Sequence, residues 1–230
     1  MRTFDYRFIG DELFAPMDED LRSRTRQQPV VAADLARLLA LRAALDEGYD
    51  VAVWCDADFL CFAPQQLSLP ATDFGLGREV WVQHRRDQSS TLRAYVKVHN
   101  AFMFFRRDNT FLEFYIGAAQ RLIRANAGTF SPQFLGPKFL TAIHNIAACP
   151  VVETAGMISP LVMADLARGG GQALDLFVEK SPRPIAAANL CASLNASGEV
   201  DDTLIEKVIQ QLLAQGMPHQ AAAISRPARE

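Results

Sequence analysis

A helix that stops at a glycine, runs into a short apolar strand and ends in two aspartates leaves few folds open to a chain. That succession stands between Ala32 and Asp58. Leu35, Leu38, Leu39, Leu41 and Leu45 recur at helical spacing and give an apolar face to a helix over Ala32–Glu47, with Gly48 as its stop. Val51-Ala-Val-Trp-Cys55 follows, continuously apolar and β-branched. Such a run predicts a central parallel strand buried on both faces, and helix–glycine–strand is half of a βαβ unit. The expected class is therefore α/β.

The rest of the chain agrees with that class. Phe4 to Ile9 alternates apolar and polar residues and predicts a strand; Asp18 to Gln28 is charged and reads as a solvated loop. Strands are expected at Glu79–Gln83, Val98–Phe105 and, at an edge, Pro150–Thr154. Helices are expected over Thr110–Ala125 and Lys138–Ala148, and over Asp202–Gln215 before Gly216, with Asp201 and Asp202 favourable at its positive end. Past Gly169-Gly-Gly171 the pattern weakens, and those glycines lack the Lys-Ser/Thr of a phosphate loop. Residues 1–200 form the expected catalytic domain, and 201–230 a terminal helix and tail packed on it.

Composition excludes several classes. With 230 residues, half of them hydrophobic, the chain can bury a core, so intrinsic disorder is ruled out. The longest apolar stretches fall well short of the ~20 residues of a spanning helix, and the N-terminus carries no signal-like apolar core. A net charge of −3 argues against nucleic acid as the main partner. Cys55, Cys61, Cys149 and Cys191 form no Cys-x-x-Cys pair and read as buried structural thiols of a cytoplasmic protein.

Asp56-Ala57-Asp58 carries the chemistry. In open α/β sheets ligands bind beyond the carboxyl ends of strands, where this tripeptide falls. Its i, i+2 spacing sets both carboxylates on one side of an extended chain, and the pair is costly without a compensating cation. Asp58 is the expected ligand of Mn²⁺ or Mg²⁺, with Asp56 on a ribose or reaching the ion through water. The competing reading is an Asp-rich turn, and one Asp-x-Asp arises by chance in about this length.

Context favours the first. Ala33-Asp34-Leu-Ala-Arg37-Leu-Leu, then Gly48-Tyr-Asp-Val-Ala-Val-Trp-Cys-Asp56-Ala-Asp58, resembles the signature of sugar-nucleotide glycosyltransferases with a GT-A fold. It is most similar to the group with an Asp-x-Asp sugar-binding motif, which takes in yeast mannosyltransferases, bacterial capsule and lipopolysaccharide transferases, and large glucosylating toxins. The resemblance runs from about Tyr6 to Pro160. It implies a GT-A-like, Rossmann-like nucleotide-diphospho-sugar transferase fold with a mixed central sheet. The opening strand and helix of that family have no counterpart ahead of Tyr6, so the first β-α unit is expected to be absent. It further implies a retaining, metal-dependent transfer from a nucleotide-diphospho-sugar to a saccharide or other hydroxyl acceptor, with peripheral membrane association open. Asp34 and Arg37 would contact donor sugar and diphosphate; three apart, they share a helix face, although a surface ion pair has the same spacing. Gly136-Pro137 resembles a segment near the sugars, against an ordinary helix-starting turn. Asn100, inside an apolar strand, resembles an Asn beside the donor sugar, and its amide needs partners from fold or substrate. Where the family carries a late His-x-x-x-Ser-Trp segment, this chain has Ala188-Asn189-Leu-Cys-Ala-Ser193, with Asn189 or Ser193 as the substitute.

Two other functions fit the same residues. A degenerate GT-A-like domain would bind a sugar nucleotide or a protein without turnover. A haloacid-dehalogenase-type phosphatase also places Asp-x-Asp after a buried strand, but Leu60 stands where that family expects Thr or Val. The basic group Arg78, His84, Arg85 and Arg86 reads as a solvated loop, and His144 as a partly buried helical histidine.

Overall fold

A computed structural model describes residues 4–85, 87, 90–131 and 133–218. It is mixed α/β, and the chain divides into two compact units. The first comprises Met1–Trp54, Thr72–Phe74 and Phe104–Ala148; the second comprises Cys55–Ala71, Gly75–Met103 and Cys149–Glu230. Arg86 and residues 219–230 of the expected tail lie outside the described residues.

In the first unit a 3-10 turn (Asp11–Phe14) leads to α1 (Glu19–Thr25) and α2 (Pro29–Asp46), with α3 (Thr110–Ala125) and α4 (Phe139–Ala147) further on. The expected loop at Asp18–Gln28 is thus mostly helix α1. Asp18 caps it by accepting from the Leu21 N–H at 2.9 Å, and Leu21 and Thr25 are buried, so its charges line only the outer face. Proline fits at the first position of α2, where its N–H would be unpaired anyway, and Gly48, at φ +106°, follows the C-terminal end. Over Val31–Leu41 α2 is buried nearly all round, Asp34 and Arg37 included. On α3, capped by Asn109, residues Leu112, Tyr115, Ile116, Ala119 and Ile123 bury one face. Phe4–Ile9 forms no strand; Phe4, Tyr6 and Phe8 are exposed.

Seven strands are described: β1 (Val51–Cys55), β2 (Phe59–Cys61), β3 (Phe74–His84), β4 (Leu92–Arg106), β5 (Val151–Val152), β6 (Ala155–Met157) and β7 (Ala187–Asn189). They form two sheets, ordered β1-β4-β3-β5 and β2-β7-β6. Pairing is mixed, with β5 parallel to β3, and β7 antiparallel to β2 but parallel to β6. Strand β1 exists where the apolar run predicts it, but as the end strand of its sheet. Only Ala52 is buried and Val53 is 45% exposed, because an end strand has a single neighbour to cover it.

The second unit also holds α5 (Pro160–Arg168), α6 (Gln172–Lys180) and α7 (Asp202–Gln215). Its core joins Val80 and Val82 of β3 to Val162 and Met163 of α5, Phe177 of α6, and Val208 and Leu212 of α7. The three glycines between α5 and α6 make a tight turn. The buried Asp165 carboxylate accepts from the Ala173 and Leu174 N–H groups at 2.8 and 3.1 Å, and a Cβ on Gly171 would lie 2.3 Å from that carboxylate. Asp201 caps α7 as expected, accepting from the Leu204 N–H at 2.7 Å.

Candidate functional site

The second unit builds its candidate site around Asp58. After β1 the chain turns sharply, the Phe59 N–H donating to the Asp56 carbonyl at 3.0 Å, and enters β2. Antiparallel pairing sets Phe59 opposite Asn189 on β7. This register delivers three donors to one aspartate. The Asn189 amide donates to Asp58 Oδ1, the Ala192 N–H to Asp58 Oδ2 at 2.8 Å, and the Leu190 N–H to the Asp58 carbonyl at 3.0 Å. Asn189 Oδ1 in turn accepts from the Cys191 N–H at 2.8 Å. Cys191 sits at φ +51°, a left-handed conformation unusual outside glycine, and the four bonds hold that turn closed.

The side-chain partners of Asp58 are thus neutral amides. Burial pushes its carboxyl above the ordinary aspartate range; the Ala192 N–H opposes that, the charge of Asp56 adds to it, and the Asn189 amide opposes it. Burial likewise raises the Cys191 thiol, helped by Asp58, Glu79 and Asp56, so Cys191 is no thiolate nucleophile at neutral pH. Asn100 is 6% exposed on β4 and interacts within the protein. Beside it His99 is fully buried, its Nδ1 accepting from the Ala101 N–H at 3.1 Å. Glu79 is buried with Lys97 at 3.5 Å, and burial raises its carboxyl.

The first unit holds the other expected residues. Arg37 and Asp34 face one another at 3.4 Å with side chains 10% and 5% exposed, so they are not a surface pair. The Arg37 guanidinium lies 5.5 Å from the Trp54 ring centroid, a cation–π contact, and its Nε donates to the Ala33 carbonyl at 3.3 Å. Tyr115 is buried below; burial and the Asp34 charge raise its phenol, whose hydroxyl donates to the Leu135 carbonyl at 2.5 Å. Leu135, Gly136 and Pro137 are buried in a kinked turn ahead of α4.

The basic group is not a solvated loop: Arg78 and His84 lie in β3, and Arg78 is largely buried. Arg78 grips Glu153 through two bonds of 2.7 and 2.5 Å, and Arg85 pairs with Asp87 at 2.7 Å. Of the cysteines, Cys149 and Cys191 are buried but Cys55 and Cys61 are exposed, and none is in a disulfide. Cys55 and Cys61 lie on strands that are only partly covered. Of the two expected substitutes in the late segment, Asn189 is the one bonded to Asp58; Trp54, the partner of Arg37, was not anticipated.

No family model matches the chain. No curated protein and no solved structure matches it either.

Among the described residues no group of three or more His, Cys, Asp and Glu side chains is arranged to hold a metal. The chemistry of the Asp58 region is compatible with a hard divalent cation only if the ion brings most of its own ligands. Asp56 and Asp58 offer carboxylate oxygens, the partners of Asp58 are neutral, and each Asp58 oxygen accepting one bond retains further acceptor capacity. Mg²⁺-type sites commonly use one or two protein carboxylates, with phosphate oxygens and water completing the shell. No helix among the described residues is long and apolar enough to cross a membrane.

Proposed function

We propose that this protein is a metal-dependent glycosyltransferase of GT-A type that moves a sugar from a nucleotide-diphospho-sugar to an acceptor hydroxyl. The observation that carries the reading is the Asp58 carboxylate, held at a strand end by Asn189 and Ala192 and sharing its surroundings with the charge of Asp56. Asp58 and Asp56 would hold Mn²⁺ or Mg²⁺, which supplies charge neutralisation for a departing nucleoside diphosphate. Asn189 and the Ala192 N–H orient the Asp58 carboxylate and spare the protein a rearrangement when the donor arrives. The resemblance assigns Asp34 and Arg37 to the donor's hydroxyls and diphosphate oxygens; within the first unit Arg37 rests on Trp54. Asn100, Gly136 and Pro137 are assigned to the donor by the resemblance alone.

The test is thermal stabilisation and product analysis with UDP-, GDP- and CDP-sugars, with and without Mn²⁺. At least one donor is expected to stabilise the chain only with metal and to release nucleoside diphosphate. Asp58→Ala should lose both effects, and a variant that still binds and turns over normally refutes the assignment. A second reading keeps donor binding without turnover. It is favoured by Asp58 already accepting a bond at each oxygen, and stabilisation with no product would select it.

A further inference from the structure

The segment Phe4-Asp-Tyr-Arg-Phe8 is an extended arm with two unlike sides. Asp5 and Arg7 share one side, Arg7 Nε donating to Asp5 at 3.2 Å, and tie the arm to the end of α2. Arg7 makes a double bond-pair with Glu47 at 3.1 and 2.7 Å and reaches the Tyr49 hydroxyl at 3.2 Å; that hydroxyl donates to Asp5. Phe4, Tyr6 and Phe8 take the other side, as the period of two in extended backbone requires, and Tyr6 meets Phe8 edge-on with centroids 5.1 Å apart. These aromatics are 95%, 78% and 84% exposed. Among the described residues no backbone–backbone hydrogen bond involves residues 4–9. A segment anchored through Asp5 and Arg7, with no backbone–backbone ladder of its own and with an aromatic face, is a template for another strand.

The residue order says which strand. Phe-Asp-Tyr-Arg-Phe is a charge-complementary palindrome about Tyr6. Laid antiparallel on itself, it sets Phe4 of one copy opposite Phe8 of the other, Tyr6 opposite Tyr6, and Asp5 opposite Arg7. Aromatic pairs and opposite charges are the favourable cross-strand combinations, and here every pair is one or the other. A parallel or shifted register loses this match. We propose that the arm pairs with the same arm of a second copy of this chain, across a two-fold axis at Tyr6. On the paired arms the six aromatic side chains line one face and cover only each other's flanks, well under the ~1,200 Å² of specific interfaces, so the dimer is weak and concentration-dependent.

The test uses the full chain. Sedimentation velocity across a micromolar concentration series is expected to show monomer passing reversibly into dimer. Replacing Phe4, Tyr6 and Phe8 together by Ser should leave monomer at every concentration with unchanged thermal melting, since the three side chains are exposed. Register is read by disulfide trapping. Tyr6→Cys places two thiols across the axis at a Cα separation of about 4.5–5.5 Å, within bridging range. Phe4→Cys places its thiols roughly 14 Å apart and should trap at least about tenfold more slowly, whereas Phe4→Cys mixed with Phe8→Cys should trap readily. The parent chain corrects for Cys55 and Cys61. Monomer throughout, a dimer that survives the triple Ser change, or equal trapping at positions 4 and 6 overturns the proposal. So does a monomer whose arm instead binds anionic lipid vesicles.

Discussion

Two buried groups of the second unit show how single residues set local stability. Glu79 is 5% exposed, and burial lifts its carboxyl above the ordinary 4.5 while Lys97 opposes the lift. A carboxyl whose folded value is raised contributes stability fully below its unfolded value, and that contribution is lost as pH rises through the folded one. Glu79→Gln removes the loss. Urea midpoints of the two chains should therefore diverge in favour of the variant as pH climbs from about 4.5 through the raised value, and a difference flat with pH would contradict this. Gly77 is limited by space instead of backbone angle: a Cβ there would sit 2.3 Å from two ring atoms of the buried His99. Gly77→Ala should cost about 1–3 kcal/mol by overpacking, measured by urea unfolding; an unchanged midpoint would mean that His99 can move aside. The place of Asp56 and Asp58 just past a strand was legible from the apolar run before them. The turn that closes there, with the Phe59 N–H on the Asp56 carbonyl in place of an extended chain, was not. Nor was the burial of Asp34 and Arg37, since an i, i+3 pair is spaced alike on a solvated or a covered face.

Helices and strands were legible where local pattern and packing agree. The helix expected over Thr110–Ala125 forms with those bounds. Helix α1 was hidden because its sequence is mostly charged; its start rests on the Asp18 cap, and Arg124 of α3 neutralises Asp18 and Asp20 at 2.7 and 3.3 Å. The α5–α6 turn was hidden because glycines carry no periodicity. There Asp165 takes the place of a cap for α6, from the preceding helix. Asp165→Ala would leave two buried N–H groups unpaired at the start of α6, and a loss of about 2–4 kcal/mol is expected by denaturant titration, taking 1–3 for each with partial relaxation. A loss well under 1 kcal/mol would show that water reaches those groups. Strand β7 is three residues with two alanines, poor strand formers; it pairs on both sides, β2 and β6, where small side chains suit a fully buried strand.

At the scale of the whole molecule, each unit is assembled from three separate stretches of chain. The core of the second unit needs Val80 and Val82 of β3 as well as α5, α6 and α7. A fragment of residues 149–230 lacks β2 and β3, so it should show no cooperative melt by circular dichroism; a sharp transition would show that its helices suffice. The sequence by itself determined the α/β class, the glycine-stopped end of α2, both ends of α3 and α7, and the strand that leads into Asp56 and Asp58. Each of these depends on neighbours within a few residues: apolar spacing, a cap, a glycine stop. Tertiary structure alone decided that β1 ends its sheet, that Arg37 rests on Trp54, and that Asn189 and Ala192 close on Asp58 from more than 130 positions away. Those contacts depend on sheet order and register, which arise from long-range pairing and leave no periodicity in the chain.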